Sequence, residues 1–215
     1  MSQQTFTFVQ EVTASVTLNY LLHLPPTIND GNPHPLLLFL HGSGERGTDI
    51  TLVKKYGPPK IVEAEPDFPF ILVSPQCPAD DQWVFHSADL RNLLDEVCQR
   101  YPVDTARIYG TGLSMGGSGM WFMAAHYPDY FAAIAPICGD GHRQLAQRLT
   151  RTPIWAFHGE LDDVVLPERS QLLVGATQYL GGDAQLTLYP DLSHNSWDRT
   201  YANPDLYTWF LQHHR

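Results

Sequence analysis

Arg107-Ile108-Tyr109-Gly110-Thr111-Gly112-Leu113-Ser114-Met115-Gly116-Gly117 joins a β-favouring run to a glycine-flanked serine, and an almost wholly apolar segment follows to Tyr127 before Pro128 stops it. A serine that is to project its hydroxyl clear of a sheet needs a sharp strand-to-helix turn. Gly112, Gly116 and Gly117 supply the space for strand, turn and helix to approach closely. The stretch therefore predicts a strand over Arg107 to Thr111, a turn at Ser114 and a buried helix over Met115 to Tyr127.

Working outward, short apolar runs of the kind found in strands covered on both faces recur at Leu36 to Leu40, Phe70 to Val73, Ile154 to Phe157 and Leu186 to Tyr189, with Phe131 to Ile137 a further candidate. Helical patterns lie between them. Ala88 to Tyr101 puts Leu90, Leu93, Leu94, Val97 and Tyr101 on one face and is stopped by Pro102; Pro167 to Leu180 ends at Gly181-Gly182; Asp205 to His214 closes the chain. At the start, Thr5 to Leu24 alternates β-favouring residues around a polar break at Thr13 to Ser15, which predicts an antiparallel hairpin. Buried strands alternating with helices predict an α/β protein: a mostly parallel central sheet, an N-terminal antiparallel hairpin, and helices on both faces. In such a sheet a site lies at the carboxyl ends of the strands. No insertion is long enough for a cap domain, so residues 1–215 are expected to form a single domain with an open site.

Composition narrows the function. The 215 residues are 43% hydrophobic and 17% charged, too apolar for disorder. With 13 Lys+Arg against 23 Asp+Glu, the net charge of −10 repels phosphate backbones and anionic lipid, so neither nucleic acid nor membrane is expected as a partner. No stretch approaches the roughly 20 apolar residues of a membrane helix. Met1 to Gln10 lacks the basic and apolar regions of a signal peptide, which predicts a cytoplasmic protein, although a chain whose signal had been removed would read the same. Cys77, Cys98 and Cys138 are odd in number and lack metal-ligand spacing, as reduced thiols would be.

A hydroxyl is a weak nucleophile, so Ser114 requires a histidine base and a carboxylate to orient it, placed later in the chain in the order Ser, acid, His. The loop His158-Gly159-Glu160-Leu161-Asp162-Asp163 follows one predicted strand, and Ser193-His194 lies in the loop after the next. His194 is the expected base. His34, His126, His213 and His214 are poorly placed, while His142 and His86 stay open as alternatives, and the residues alone do not separate Asp162 from Asp163. The developing oxyanion needs backbone N–H donors. Met115 supplies one, and the glycine-rich turn His41-Gly42-Ser43-Gly44-Glu45-Arg46-Gly47 supplies the other, with Ser43 preferred to Gly44. That turn lacks the Gly-Lys-Ser/Thr ending of a phosphate loop. Gln76, Trp83 and Trp197 are candidate walls of the substrate cleft. Gly110 stands where a larger apolar residue would be expected to pack better, and Gly139-Asp140-Gly141 makes a bare loop that would either widen an acyl pocket or turn the chain.

Together, Leu40 to Gly47, Ser74-Pro75-Gln76-Cys77, Gly112 to Gly117, Phe157-His158-Gly159 with Asp162 to Val165, and Ser193-His194 with Trp197 resemble the α/β-hydrolase superfamily. The closer resemblance is to its compact phospholipase/carboxylesterase-like and "predicted peptidase" group, related to feruloyl and polyhydroxybutyrate esterases. The resemblance implies the register H-G-x-x-D-x-x-V, which selects Asp162. It further implies a serine carboxylesterase for short-chain or aryl and feruloyl-type esters, with a small-molecule ester as partner, no metal or organic cofactor, and a monomer or small homo-oligomer. A peptidase or amidase with the same triad, and a non-catalytic binding protein of hydrolase fold, are the alternatives.

Overall fold

Leu36, Leu38 and Leu40 point to one side of their strand and Leu37 and Phe39 to the other, and all five are fully buried. A strand apolar on both faces must have helices packed on each. The structure, a computed structural model, describes residues 15–215. Its strands are β1 (Tyr20–His23), β2 (His34–Leu40), β3 (Ile71–Pro75), β4 (Val103–Leu113), β5 (Ala133–Ile137), β6 (Ile154–Gly159) and β7 (Ala184–Tyr189). They form one sheet in the order β1-β3-β2-β4-β5-β6-β7, in which only the β1–β3 pair is antiparallel.

The helices are α1 (Gly57–Ile61), α2 (Ser87–Arg100), α3 (Met115–His126), α4 (Ala146–Leu149), α5 (Glu168–Tyr179), α6 (Trp197–Tyr201) and α7 (Pro204–Leu211). Residues of α2, α3, α4 and α5 share one core with Leu36, Leu38 and Leu40; residues of α6 and α7 share the other with Leu37 and Phe39. The expected mostly parallel sheet with helices on both faces is what folds. Of the expected N-terminal hairpin, the second arm supplies β1, which pairs with β3, and the first arm lies outside the described residues. Among the described residues no helix is long and apolar enough to cross a membrane.

Packing corrects the Gly110 expectation and accounts for Gly139. A Cβ on Gly110 would lie 2.2 Å from Met120 Cε and 3.1 Å from Phe131 Cε1, so methionine from α3 already fills the space a larger residue would take. A Cβ on Gly139 would lie 2.4 Å from the carbonyl carbon of Gly117, so glycine there lets the loop after β5 lie against the start of α3.

Candidate active site

At the end of β4 the chain turns through Ser114, which adopts φ 53° and ψ −117°. An L residue in this region is strained, at a cost of about 1–3 kcal/mol, and surrounding structure must hold it. Two observations account for the hold. Ser114 N–H donates to Ile137 O at 2.9 Å, and a Cβ on Gly116 would lie 1.9 Å from Leu40 O, so β2 and α3 are in backbone contact and only glycine fits.

The parallel sheet delivers the expected partners to the same edge. His194, in the loop after β7, has Nε2 2.9 Å from Ser114 Oγ and Nδ1 2.8 Å from Asp162 Oδ2. Asp162, in the loop after β6, has its side chain wholly buried, and its Oδ1 accepts the N–H groups of Val164 and Val165 at 2.9 and 3.0 Å. Burial opposes its ionisation, but the hydrogen bonds from His194, Val165 and Val164 outweigh it and hold the carboxyl below the usual range. Asp163 is exposed and takes no part. The geometry thus joins Ser114, His194 and Asp162, in the register the resemblance selected.

Met115 opens α3 and Ser43 opens a single 3-10 turn (Ser43–Glu45), so the N–H of each has no partner within its own helix. Both residues line a cleft of about 370 Å³, together with Arg46, Gln82, Phe122 and Val165. His142 also lines this cleft, 4.0 Å from Asp140, whereas His86 is bound between Asp81 and Asp89. A larger hollow of about 800 Å³, lined from α1, α6 and α7, holds none of the candidate residues.

Gln76 and Trp83 are not cleft walls. Both are buried and support the Ser43 turn from behind: Gln76 Nε2 donates to Glu45 O at 2.9 Å and Asp49 O at 2.8 Å, and Trp83 Nε1 donates to His41 O at 3.0 Å. An indole and an amide are large enough to suggest a substrate wall, yet their polar atoms are taken up by carbonyls of the neighbouring loop. Trp197 is half-buried and meets the His194 ring edge-on, 5.4 Å between centroids, and Tyr56 meets it edge-on at 5.6 Å.

Sequence reasoning missed three supports. His41 is buried, donates from Nδ1 to Gly42 O at 2.6 Å and accepts the Cys77 N–H at Nε2, 3.0 Å; burial pushes its pKa down to about 4. Arg46 donates to Ser43 O at 3.0 Å and to Asp81 O at 3.2 Å, tying the turn to the loop after β3. His158 lies buried beneath Asp162. The signal for both histidines was present: each is a histidine-glycine pair immediately after a buried apolar run. Among the described residues no group of three or more His, Cys, Asp or Glu is arranged to hold a metal ion.

Known proteins are similar to the chain. A bifunctional acetylxylan esterase/xylanase of Neocallimastix patriciarum is 28% identical over 130 residues, covering 60% of this chain and 18% of that protein. A poly(3-hydroxyalkanoate) depolymerase C of Paucimonas lemoignei is 39% identical over 54 residues, covering 25% and 13%. The chain therefore spans less than a quarter of either relative's length. Among solved structures, a thermostable esterase superposes with a TM-score of 0.81 at 32% identity, covering 94% of this chain and 60% of that one. Est1E from Butyrivibrio proteoclasticus superposes with a TM-score of 0.68 at 16% identity, covering 91% and 95%, a likeness of fold alone. Residues 86–203 match the profile of the Dienelactone hydrolase family. That span takes in the Ser114 turn, Asp162 and His194 and exceeds half of the chain, so the protein belongs to the dienelactone hydrolase family.

Proposed function

We propose that the protein is a serine carboxylesterase, with residues 1–215 acting as one catalytic domain. The observation that carries this reading is the continuous relay from Ser114 Oγ through His194 to Asp162, at 2.9 and 2.8 Å, with the serine held on a strained turn. Asp162 accepts the hydrogen bond of the His194 Nδ1–H, which leaves Nε2 free to accept the Ser114 proton as Oγ attacks the ester carbonyl. The N–H groups of Met115 and Ser43 receive the developing oxyanion, each donor being worth roughly 3 kcal/mol in transition-state stabilisation. His194 returns its proton to the leaving alcohol and then activates the water that frees the acyl group.

The cleft's size and its mix of Phe122, Val165, Arg46 and Gln82 suit a short acyl or aryl ester with a polar partner. The acetylxylan esterase relative acts on an ester bond by its name, which supports the same bond class here. The test is hydrolysis of p-nitrophenyl butyrate by the protein and by Ser114→Ala. Loss of the nucleophile is expected to lower kcat by about 10⁶-fold; equal rates in the two proteins would overturn the reading. The matched anilide, run in parallel, separates an esterase from a peptidase.

A further inference from the structure

We propose that His158 is a positioning residue that acts through Asp162, holding the acid in the orientation His194 needs. The inference rests on the relay described under Proposed function. His158 is the next-to-last residue of β6 and is fully buried. Its Nε2 lies 2.8 Å from Val165 O and 3.1 Å from Asp162 Oδ2; its Nδ1 lies 2.8 Å from Ser170 Oγ on α5.

The tautomer follows from the partners. A carbonyl oxygen only accepts, so Nε2 carries the hydrogen and shares it between Val165 O and Asp162 Oδ2, while Nδ1 accepts from the Ser170 hydroxyl. Asp162 Oδ2 is thus held by two imidazoles, His194 at 2.8 Å and His158 at 3.1 Å, and Oδ1 by the Val164 and Val165 N–H groups. Val165 takes part twice: its N–H holds Oδ1 and its carbonyl fixes the ring that holds Oδ2. Rotation of the carboxylate about its Cβ–Cγ bond would break contacts on both oxygens. The titratable groups facing His158 are Asp162 and His194; burial keeps the ring below the usual imidazole range against the pull of Asp162, so it serves as a neutral donor.

The test compares His158→Gln with His158→Asn. The glutamine amide reaches the position of Nε2, and the shorter asparagine amide reaches only that of Nδ1, facing Ser170. Two readouts are taken: kcat and KM for p-nitrophenyl butyrate, and the low-field proton resonance of the His194 Nδ1–H bond to Asp162. His158→Gln should keep kcat within about tenfold. His158→Asn should lose about 10²-fold in kcat, the effect of a slightly misplaced catalytic group, with KM unchanged and the resonance shifted or lost. Equal kcat in the two variants, high or low, with the resonance intact in both would show that His158 only fills space and would overturn the proposal. The resonance is read without turnover, so it tests the clamp even if Ser114→Ala shows the esterase reading to be wrong.

Discussion

Replacing Asp162 by asparagine changes one atom, and the structure dictates which. Asp162 Oδ1 accepts two backbone N–H groups, from Val164 at 2.9 Å and Val165 at 3.0 Å. The amide NH₂ cannot face them, so in Asp162→Asn the oxygen stays there and the NH₂ takes the place of Oδ2. It then points at His194 Nδ1, 2.8 Å away in the parent. Nδ1 must become the acceptor, which puts the ring proton on Nε2, where it faces Ser114 Oγ and can no longer take the serine proton. A wrong tautomer of this kind costs on the order of 10⁴-fold in kcat, about 5 kcal/mol of transition-state stabilisation. The NH₂ also meets the Nε2–H of His158 at 3.1 Å, donor against donor, so some loss of stability accompanies the loss of rate. Asp163→Asn, altering an exposed side chain, should leave kcat within about twofold. The assay is steady-state ester hydrolysis at neutral pH with both variants checked for folding by circular dichroism. A kcat for Asp162→Asn within tenfold of the parent, or a large loss confined to Asp163→Asn, would refute the reasoning.

Stability should fall with pH through the loop after β2. Burial lowers His41 from 6.5 to about 4, so the unfolded chain binds a proton that the folded chain refuses; stability is whole above pH 6.5 and drains as pH falls towards 4, by roughly 3 kcal/mol in all. Urea unfolding across that range checks it, and a flat profile, or the same slope in His41→Gln, would contradict it. Gly116→Ala should cost at least about 3 kcal/mol, since its Cβ would meet Leu40 O at 1.9 Å and His41 O at 2.7 Å with backbone on both sides. Gly44→Ala, with nothing within 4 Å, should change stability by less than about 0.5 kcal/mol by the same measurement.

The fold was legible because its strands are apolar on both faces and its helices end at prolines or glycines. Leu36 to Leu40 and Ile154 to Phe157 were readable as short continuous apolar runs and the stretch before Ser114 as a β-favouring one, and Pro102, Pro128 and Gly181 marked the stops. Less legible were α1, α4 and α6, of five, four and five residues, too short to show a helical period and held by tertiary contacts instead. At the site, Ser114 and His194 were readable from their place after strands. Gln76 and Trp83 were misread because the sequence shows a polar aromatic loop after β3 but not which way it faces; that depends on carbonyls in a different loop, those of His41, Glu45 and Asp49, which accept from their side chains.

The two histidine-glycine pairs show how the site is held rigid. His41-Gly42 follows β2 and His158-Gly159 ends β6, and in each the imidazole is buried while the glycine lets another segment pass: a Cβ on Gly42 would lie 2.8 Å from Leu113 Cδ1, and one on Gly159 2.1 Å from Ser193 O. One pair anchors the loop that carries Ser43, the other the loop that carries Asp162. Their rings are opposite tautomers. His41 accepts at Nε2 from the Cys77 N–H, whereas His158 accepts at Nδ1 from the Ser170 hydroxyl. Protonation therefore has unequal consequences. A second proton on His158 meets a hydroxyl that can rotate and accept it, but a second proton on His41 meets a backbone N–H that can only donate, leaving that amide without a partner in a buried place. Acid should then loosen the Ser43 turn more than the Asp162 loop, and amide-exchange protection of the Cys77 N–H against that of Val164 and Val165 between pH 4 and 6.5 checks it.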